Sequence, residues 1–487
     1  MKKIPSYDDL CSYMGNNHEA VVTTVSAHLI HQEDSWDPHI FCGGLRSVLE
    51  SQETTSIRQL HAEIVEGWRP SSPRPGPSGE QSMYRMSNIR QLELELEADH
   101  CDPPQGDHAR CVRAGDVVVT KAAPIRAALA TNHTFRHLVD ANCYLVRGLD
   151  QAAALWLALC LNQPAYSDYL TRKSGSAVVP RVRMSALRDV PFPNAGAAIG
   201  TLSQRVVDCL DRRTESRVEL VRFVDDVRQQ VDRLFPQFSL DDITDESEVT
   251  NWSRFFSPDD IEDSLVPGHV AVNRQQRALR QNSYWVSMRQ LVTEGQVSQS
   301  RVGTPGERMR LLRLSDVGDD LSIPISVPLH HAQGHRRIFS EPISENDVLL
   351  STLVTSPRVA FAGSQPQTDV FPTDHWYRLR FRETPGAWAL VLNTPAIHRQ
   401  LLRMAVGAMQ QFALPSTVRR LVLPDVPREV RIKWDTFLRR WQRRRRDLDE
   451  QWCRLMRDCY AALRETHQKF GSWTRQPELL QSWMDAA

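Results

Sequence analysis

The feature that most constrains this chain is a long-range echo at a fixed distance. Residues 162–170 read NQPAYSDYL and residues 393–401 read NTPAIHRQL, so that Asn162 and Pro164 return as Asn393 and Pro395, 231 positions on. Arg58-Gln59-Leu60 returns as Arg289-Gln290-Leu291 at the same offset. So does Gly115-Asp116-Val117-Val118-Val119-Thr120, as Asn346-Asp347-Val348-Leu349-Leu350-Ser351. Ser185 and Pro193 return as Ser416 and Pro424, again at 231. One slip, Arg85-Met86-Ser87-Asn88-Ile89 against Arg313-Leu314-Ser315-Asp316-Val317 at 228, is recovered by Asp347. Weak matches in one order, with one small indel and its reversal, mark a diverged tandem duplication of a unit far longer than a solenoid repeat.

A chain of 487 residues has room for such a pair, since length alone suggests roughly three domains of ~150 residues. With 41% apolar and 24% charged residues the composition is that of a soluble globular protein. The first residues, MKKIPSYDDLCSYM, lack the apolar core of a signal peptide. The longest apolar run, AAALWLALCL at 152–161, falls short of the ~20 residues that span a bilayer. Nine cysteines without paired spacing point to a reducing cytoplasm and no disulfide framework. A formal net charge of zero at first argues against a nucleic-acid partner. The charge is unevenly spread, however: residues 238–269 hold nine acids and one arginine, and the remainder carries the matching positive excess. Charge decides nothing about DNA.

Each copy ends in a segment with the 4-3 apolar spacing of a coiled-coil seam. Val206, Leu210, Arg213, Arg217, Leu220, Val224, Val227, Val231 and Leu234 keep it in the first copy. Trp434, Leu438, Trp441, Arg445, Leu448, Trp452, Leu455, Cys459 and Ala462 keep it in the second. Neither segment has an internal Gly or Pro. Arg217 and Arg445 share one seam position, where a polar residue fixes register. The pattern favours the two helices packing on each other as an antiparallel coiled coil; two separate surface helices are the alternative. Ahead of each helix, VVVTK, NCYLVRG, DVLLS and WYRLRF read as strands. One helix per copy, near 151–171 and 385–404, interrupts them. The expected fold is therefore α+β, with two tandem globular domains each followed by a long helix. By residue, 1–37 is an extension without counterpart, 38–195 the first domain, 196–237 the spacer helix and 238–269 an acidic linker. The second domain follows at 270–427, the second long helix at 428–470 and a tail at 471–487. RPSSPRPGPSG at 69–79 is a loop.

Local motifs recur inside both copies. YRMSNI (84–89) and LRLSDV (312–317) lead an aromatic or apolar residue into Ser-Asn/Asp-Ile/Val, and AGDVVVTK (114–121) matches ENDVLLST (345–352). SGSAVVPRVRMSALRDVPFP (174–193) closes the first copy with a Gly-Ser turn, a polar stretch and Pro-x-Pro, and AMQQFALPSTVRRLVLPDVP (408–427) closes the second. In these motifs and their order, over about residues 38–470, the chain resembles the DNA-specificity subunit of type I restriction–modification systems. The resemblance implies two target-recognition domains, double-stranded DNA as ligand, and DNA methyltransferase subunits as partners, with a restriction–translocase subunit beside them. It implies a role in DNA methylation and phage defence, with no cofactor in this chain and S-adenosylmethionine on the methyltransferase. The copies also depart from the family pattern. Asn346 stands where the first copy has Gly115, Gly407-Ala408-Met409 replaces the Gly-Ser turn, and a Glu-Gln pair before the helix is absent from both.

A sequence reader sets some side chains against base edges and others against phosphates. The loop TRKSGSAVVPRVR offers Arg172, Lys173, Ser174, Arg181 and Arg183 around a Gly-Ser turn. The second copy offers Arg403, Gln410 and Gln411, and glutamine can pair bidentately with adenine. Lys121, Arg126 and Arg358 follow the matched strands. For each of these a solvated loop is the plainer reading. Two heads on one chain would read two half-sites. A 29-residue seam, roughly 42 Å long at ~1.5 Å per residue, exceeds one ~34 Å turn of B-DNA and could act as a ruler. An interaction scaffold of a defence assembly, of the same ancestry but without base readout, is the alternative.

Catalytic signatures are missing. Asp102-Pro103-Pro104-Gln105 lacks the aromatic ring that an amino-methyltransferase stacks on a flipped base. His100, Cys101, His108 and Cys111 fit no zinc-finger spacing. No GxxxxGK[ST] loop occurs, and the Gly-Ser turn lacks the flanks of a nucleophile elbow. The chain reads as a non-enzyme without a metal site. RRWQRRRRDLDEQW (439–452) suits a nucleic-acid patch and a self-paired helix face equally well.

Overall fold

Short β-branched runs between turn residues form strands here, and the two seam runs free of Gly and Pro lie within the long helices. The computed structural model describes residues 54–69, 81–95, 99–101, 110–132, 137–173, 181–195, 197–234, 285–293, 300–301, 307–318, 320–324, 327, 329–331, 338–355, 357–364, 369–405 and 411–467. The extension 1–37, most of the loop 69–79, Asp102-Pro103-Pro104-Gln105, His108, the acidic stretch 238–269 and the tail 471–487 lie outside the described residues. Two compact units divide the chain, residues 1–211 with 455–475 and residues 212–454 with 476–487.

In the first unit, Glu63–Glu66, Cys143–Arg147, Val117–Thr120 and Ala127–Leu129 form an antiparallel sheet in that order. Gln81–Tyr84 lies between Asp99–Cys101 and Leu138–Val139 in a second sheet, parallel to the latter. Every residue of Val117–Thr120 and Cys143–Arg147 is buried, which is why both read as continuous apolar runs rather than as alternation. Helix α1 (Gln151–Leu161) packs on the Ala127–Leu129 strand and is buried from Ala154 to Leu161. A helix apolar all round has to be enclosed in this way. Helix α2 (Pro164–Lys173) follows, and the chain then enters α3 (Ala197–Leu234), 38 residues long.

The second unit is built alike. Val359–Phe361, Asp347–Ser351 and Trp376–Arg380 form one sheet. Arg308–Leu312 lies between Leu329–His331 and a parallel Val370–Pro372 in another. Helices α4 (Pro385–Leu392) and α5 (Pro395–Arg403) precede α6 (Arg428–His467), 40 residues long. Its core gathers Val348, Leu350, Phe361, Trp388, Leu392 and Leu421 with Leu220, Val224, Val227 and Val231 of α3 and Trp434, Leu438 and Trp441 of α6. Among the described residues no helix is long and apolar enough to cross a membrane.

The single helix expected at 151–171 and at 385–404 is in each case two helices, divided at Asn162-Gln163 and at Asn393-Thr394. The cause is Pro164 and Pro395. Each opens the second helix, has no N–H to continue the first, and disfavours helical dihedrals in the residue before it. At the first break Asn162 also ties the helix end to the sheet. Its Oδ1 accepts from the Ala127 amide (3.0 Å), and its Nδ2 donates to Ala127 O and Ala158 O (2.8 Å each).

Candidate nucleic-acid interface

Each unit builds one edge out of the same bonds. The Val117–Thr120 strand starts beside Asp116, whose carboxylate accepts from the Arg113 amide (2.9 Å) and Arg147 Nε (3.0 Å). Its counterpart Asp347 accepts from the Ser344 amide and Arg380 Nε, both at 2.8 Å. Burial outweighs these partners at Asp116 and pushes its carboxyl above the ordinary value. At the far end of the strand, the hydroxyls of Thr120 and Ser351 accept from the amides of Arg126 and Arg358 at 2.9 Å and close the turn. The closing segment then lies against that turn. The Val182 amide donates to Lys121 O (2.7 Å) and the Ala413 amide to Thr352 O (2.8 Å). Tyr144 and Tyr377 donate their hydroxyls to Val182 O (3.0 Å) and Ala413 O (2.8 Å). A hairpin turn and a strip of backbone are thus held rigidly side by side, twice.

The change from Gly115 to Asn346 preserves this edge. Gly115 has φ +87° and Asn346 φ +73°. Asparagine is among the few residues that enter the left-handed region at small cost. The turn survives the substitution.

The sequence candidates separate on this scaffold. Arg181 and Arg183 are exposed, and Arg181 bridges to Ala122 beside the turn. Lys173 lies with its ammonium 5.0 Å from the Tyr169 ring. Lys121 is a correction. Its side chain is only 6% exposed, ion-paired with Glu66 and seated over the Tyr144 ring, because the strand carrying it is buried on both faces. Arg126 and Arg358 are half-buried and donate to Ile89 O (3.5 Å) and Val317 O (3.1 Å), so both brace the turn from within. Gln411 is half-buried and its carbonyl accepts from the Val354 amide (3.1 Å). Ser174, Gln410 and the side chains of Arg172 and Arg403 lie outside the described residues. What the sequence reading passed over is the pair Arg147 and Arg380. A charge at the end of an apolar strand looks solvated, and only its match across the two copies marks it.

Along the long helices, Val206, Leu210, Leu220, Val224, Val227 and Val231 are buried, as are Trp434, Leu438, Trp441, Arg445, Leu448, Trp452 and Leu455. The Leu234 side chain lies outside the described residues. Arg217 is only half-buried, and Arg213 is the α3 arginine that is buried near Arg445. The reason is Asp449: it pairs with Arg213 and with Arg445 Nε (3.2 Å), so one carboxylate neutralises both. In the second unit Trp441 Nε1 donates to Ser216 O (2.6 Å), Arg444 pairs with Glu219 (3.1 Å), and the Phe223 and Phe437 rings stack at 3.7 Å. The basic run 439–452 is therefore partly consumed by acids of its own and of the facing helix.

No protein-family model and no curated protein sequence matches the chain. Among solved structures it is similar to the type I restriction–modification S subunit from M. genitalium, at 12% identity and TM-score 0.35, covering 86% of this chain and 95% of that one. It is also similar to the HsdS subunit from Thermoanaerobacter tengcongensis, at 14% identity and TM-score 0.23, covering 84% and 96%. A third, from work on complex assembly and conformational transition of the type I R-M system, has 14% identity and TM-score 0.24, covering 83% and 97%.

Proposed function

We propose that this chain is a non-catalytic DNA-recognition subunit that directs a partner DNA methyltransferase to a bipartite site in double-stranded DNA. The observation that carries the proposal is the edge built twice by matching bonds, Asp116 with Arg147 and Asp347 with Arg380. One binding globule in duplicate on one chain suits a ligand that presents the same kind of surface twice. Each edge is rigid, and sites on rigid elements can hold side chains to the tolerance that base edges demand. In the first copy the candidate contacts are the exposed Arg181 and Arg183, together with Arg172, Lys173 and Ser174 of the same sequence segment. In the second they are Arg403, Gln410 and Gln411.

The two long helices would hold the heads as an antiparallel coiled coil. Supporting this, Arg213 meets Asp449, Glu219 meets Arg444 and Phe223 meets Phe437, so position rises along α3 as it falls along α6. The same helices would carry the methyltransferase, which brings S-adenosylmethionine, and a restriction–translocase subunit could join that complex in the cytoplasm. A second reading, a scaffold without base readout, is favoured by one observation: Lys121, Arg126 and Arg358 spend their charge inside the protein.

Single-molecule methylome sequencing of a host with and without this gene, its neighbours retained, tests the proposal. A split motif should lose methylation on deletion. Unchanged methylation would leave the scaffold reading standing.

A further inference from the structure

Three side chains on one face of α6, spaced as i, i+4 and i+7, reach into the globule of the second unit. Asp435 Oδ1 accepts from the Gly386 amide at the start of α4 (2.7 Å), while its Oδ2 accepts from Arg439 Nε (2.7 Å). Arg439 continues to Gly363 O (3.3 Å) and Asn346 Oδ1 (2.5 Å), with its guanidinium 5.1 Å from the centre of the Phe361 ring. Gln442 uses both ends of its amide. Its Oε1 accepts from the Gly363 amide (3.0 Å), and its Nε2 donates to Phe361 O (2.9 Å) and Leu321 O (3.3 Å).

The globule is shaped to admit this face. A Cβ at Gly363 would lie 2.1 Å from Gln442 Oε1, and one at Gly386 would lie 2.8 Å from Asp435 Oδ1. In the first unit the residues 231 positions before Gly363, Gly386 and Gln442 are Asn132, Leu155 and Asp211. There the Asn132 amide and Nδ2 reach the Asp211 carboxylate at 3.3 Å each. Asn346, which keeps the left-handed turn, also supplies the oxygen that Arg439 grips, and Gly115 has no side chain to offer. The second copy is thus attached to its helix through residues that the first copy does not have, with glycines where approach is tight and an amide where a bond is made.

We propose that Asp435, Arg439 and Gln442 are positioning residues that hold the second globule in one orientation on α6, so that its edge meets a half-site at one fixed distance along the DNA. This role rests on the DNA-recognition reading above. In the full chain with its methyltransferase, Arg439→Ala/Gln442→Ala should keep both half-sites methylated but accept spacers one base pair longer and shorter. A spacer that stays single in the folded variant overturns the proposal. Gly363→Ala should reproduce the spread, and adding Gln442→Ala to it should add nothing, because the clash and the bond are one feature; additive effects speak against it. Should the double variant fail to fold, Gln442→Ala alone carries the comparison. Amide exchange supplies a readout independent of DNA: the Gly363 amide should exchange about tenfold faster in Gln442→Ala. Unchanged exchange removes the attachment itself. A wild-type complex that methylates no split motif would overturn the recognition reading and the spacing role together, while the exchange result still decides whether the attachment exists.

Discussion

Asp347 is fully enclosed, with Arg380 Nε at 2.8 Å and Arg378 Nε at 3.3 Å. Removing the carboxylate would leave Arg378, whose side chain is 1% exposed, with the more exposed Glu341 at 3.4 Å as its remaining acidic partner. Asp347→Ala should therefore cost about 3–5 kcal/mol in urea unfolding. His398 gives a second residue-scale expectation. Burial of its imidazole, aided by the nearby Arg228 charge, lowers its pKa from 6.5 to about 4. Between these values the unfolded chain binds a proton that the folded chain refuses. Stability at this site is full above pH 6.5 and is lost as pH falls toward 4, by at most about 3 kcal/mol. Unfolding midpoints for wild type and His398→Gln across that interval should show a shallower acid slope in the variant. At this scale the sequence was least legible. Nothing in the local sequence says that Lys121 is buried beside Glu66, or that Arg126 and Arg358 reach the carbonyls of Ile89 and Val317.

The elements were easier to read, because apolar continuity and Gly/Pro punctuation are local signals. VVVTK, NCYLVRG, DVLLS and WYRLRF are strands, and the two runs free of Gly and Pro are helices. The prolines after Asn162 and Asn393 are visible as an echo, and each breaks the apolar run into two helices. The two breaks should respond unequally. Asn162→Ala orphans the buried Ala127 groups and should cost about 1–3 kcal/mol, whereas the half-buried Asn393, which caps through its backbone, should tolerate alanine within about 0.5 kcal/mol. Chemical denaturation of the two single variants compares them directly. On α6, Trp441→Ala should cost about 3–5 kcal/mol through the lost ring and the freed Ser216 carbonyl, and Trp441→Phe should recover most of the packing share.

For the whole molecule, the 231-residue offset is the most informative feature, since the backbone bonds Val182 to Lys121 and Ala413 to Thr352 keep it as well as the letters. What it could not carry was how each globule meets its helix, because that contact differs between the copies. If the helices act as a ruler, one heptad inserted at facing positions of α3 and α6 adds roughly 10.5 Å at ~1.5 Å per residue. The unread spacer of the methylated motif should then lengthen by about three base pairs, with both half-sites intact. A spacer of unchanged length would mean that something else sets it.

The attachment of the second globule also bears on how such chains can be recombined. A chimera cut at residue 427, just before α6 begins, would place a foreign helix face against Gly363 and Gly386, two positions with no side chain to fill the gap. A cut beyond Gln442 transfers the globule together with its own handle. The portable cassette is longer than the domain, and the first fifteen residues of the helix travel with it.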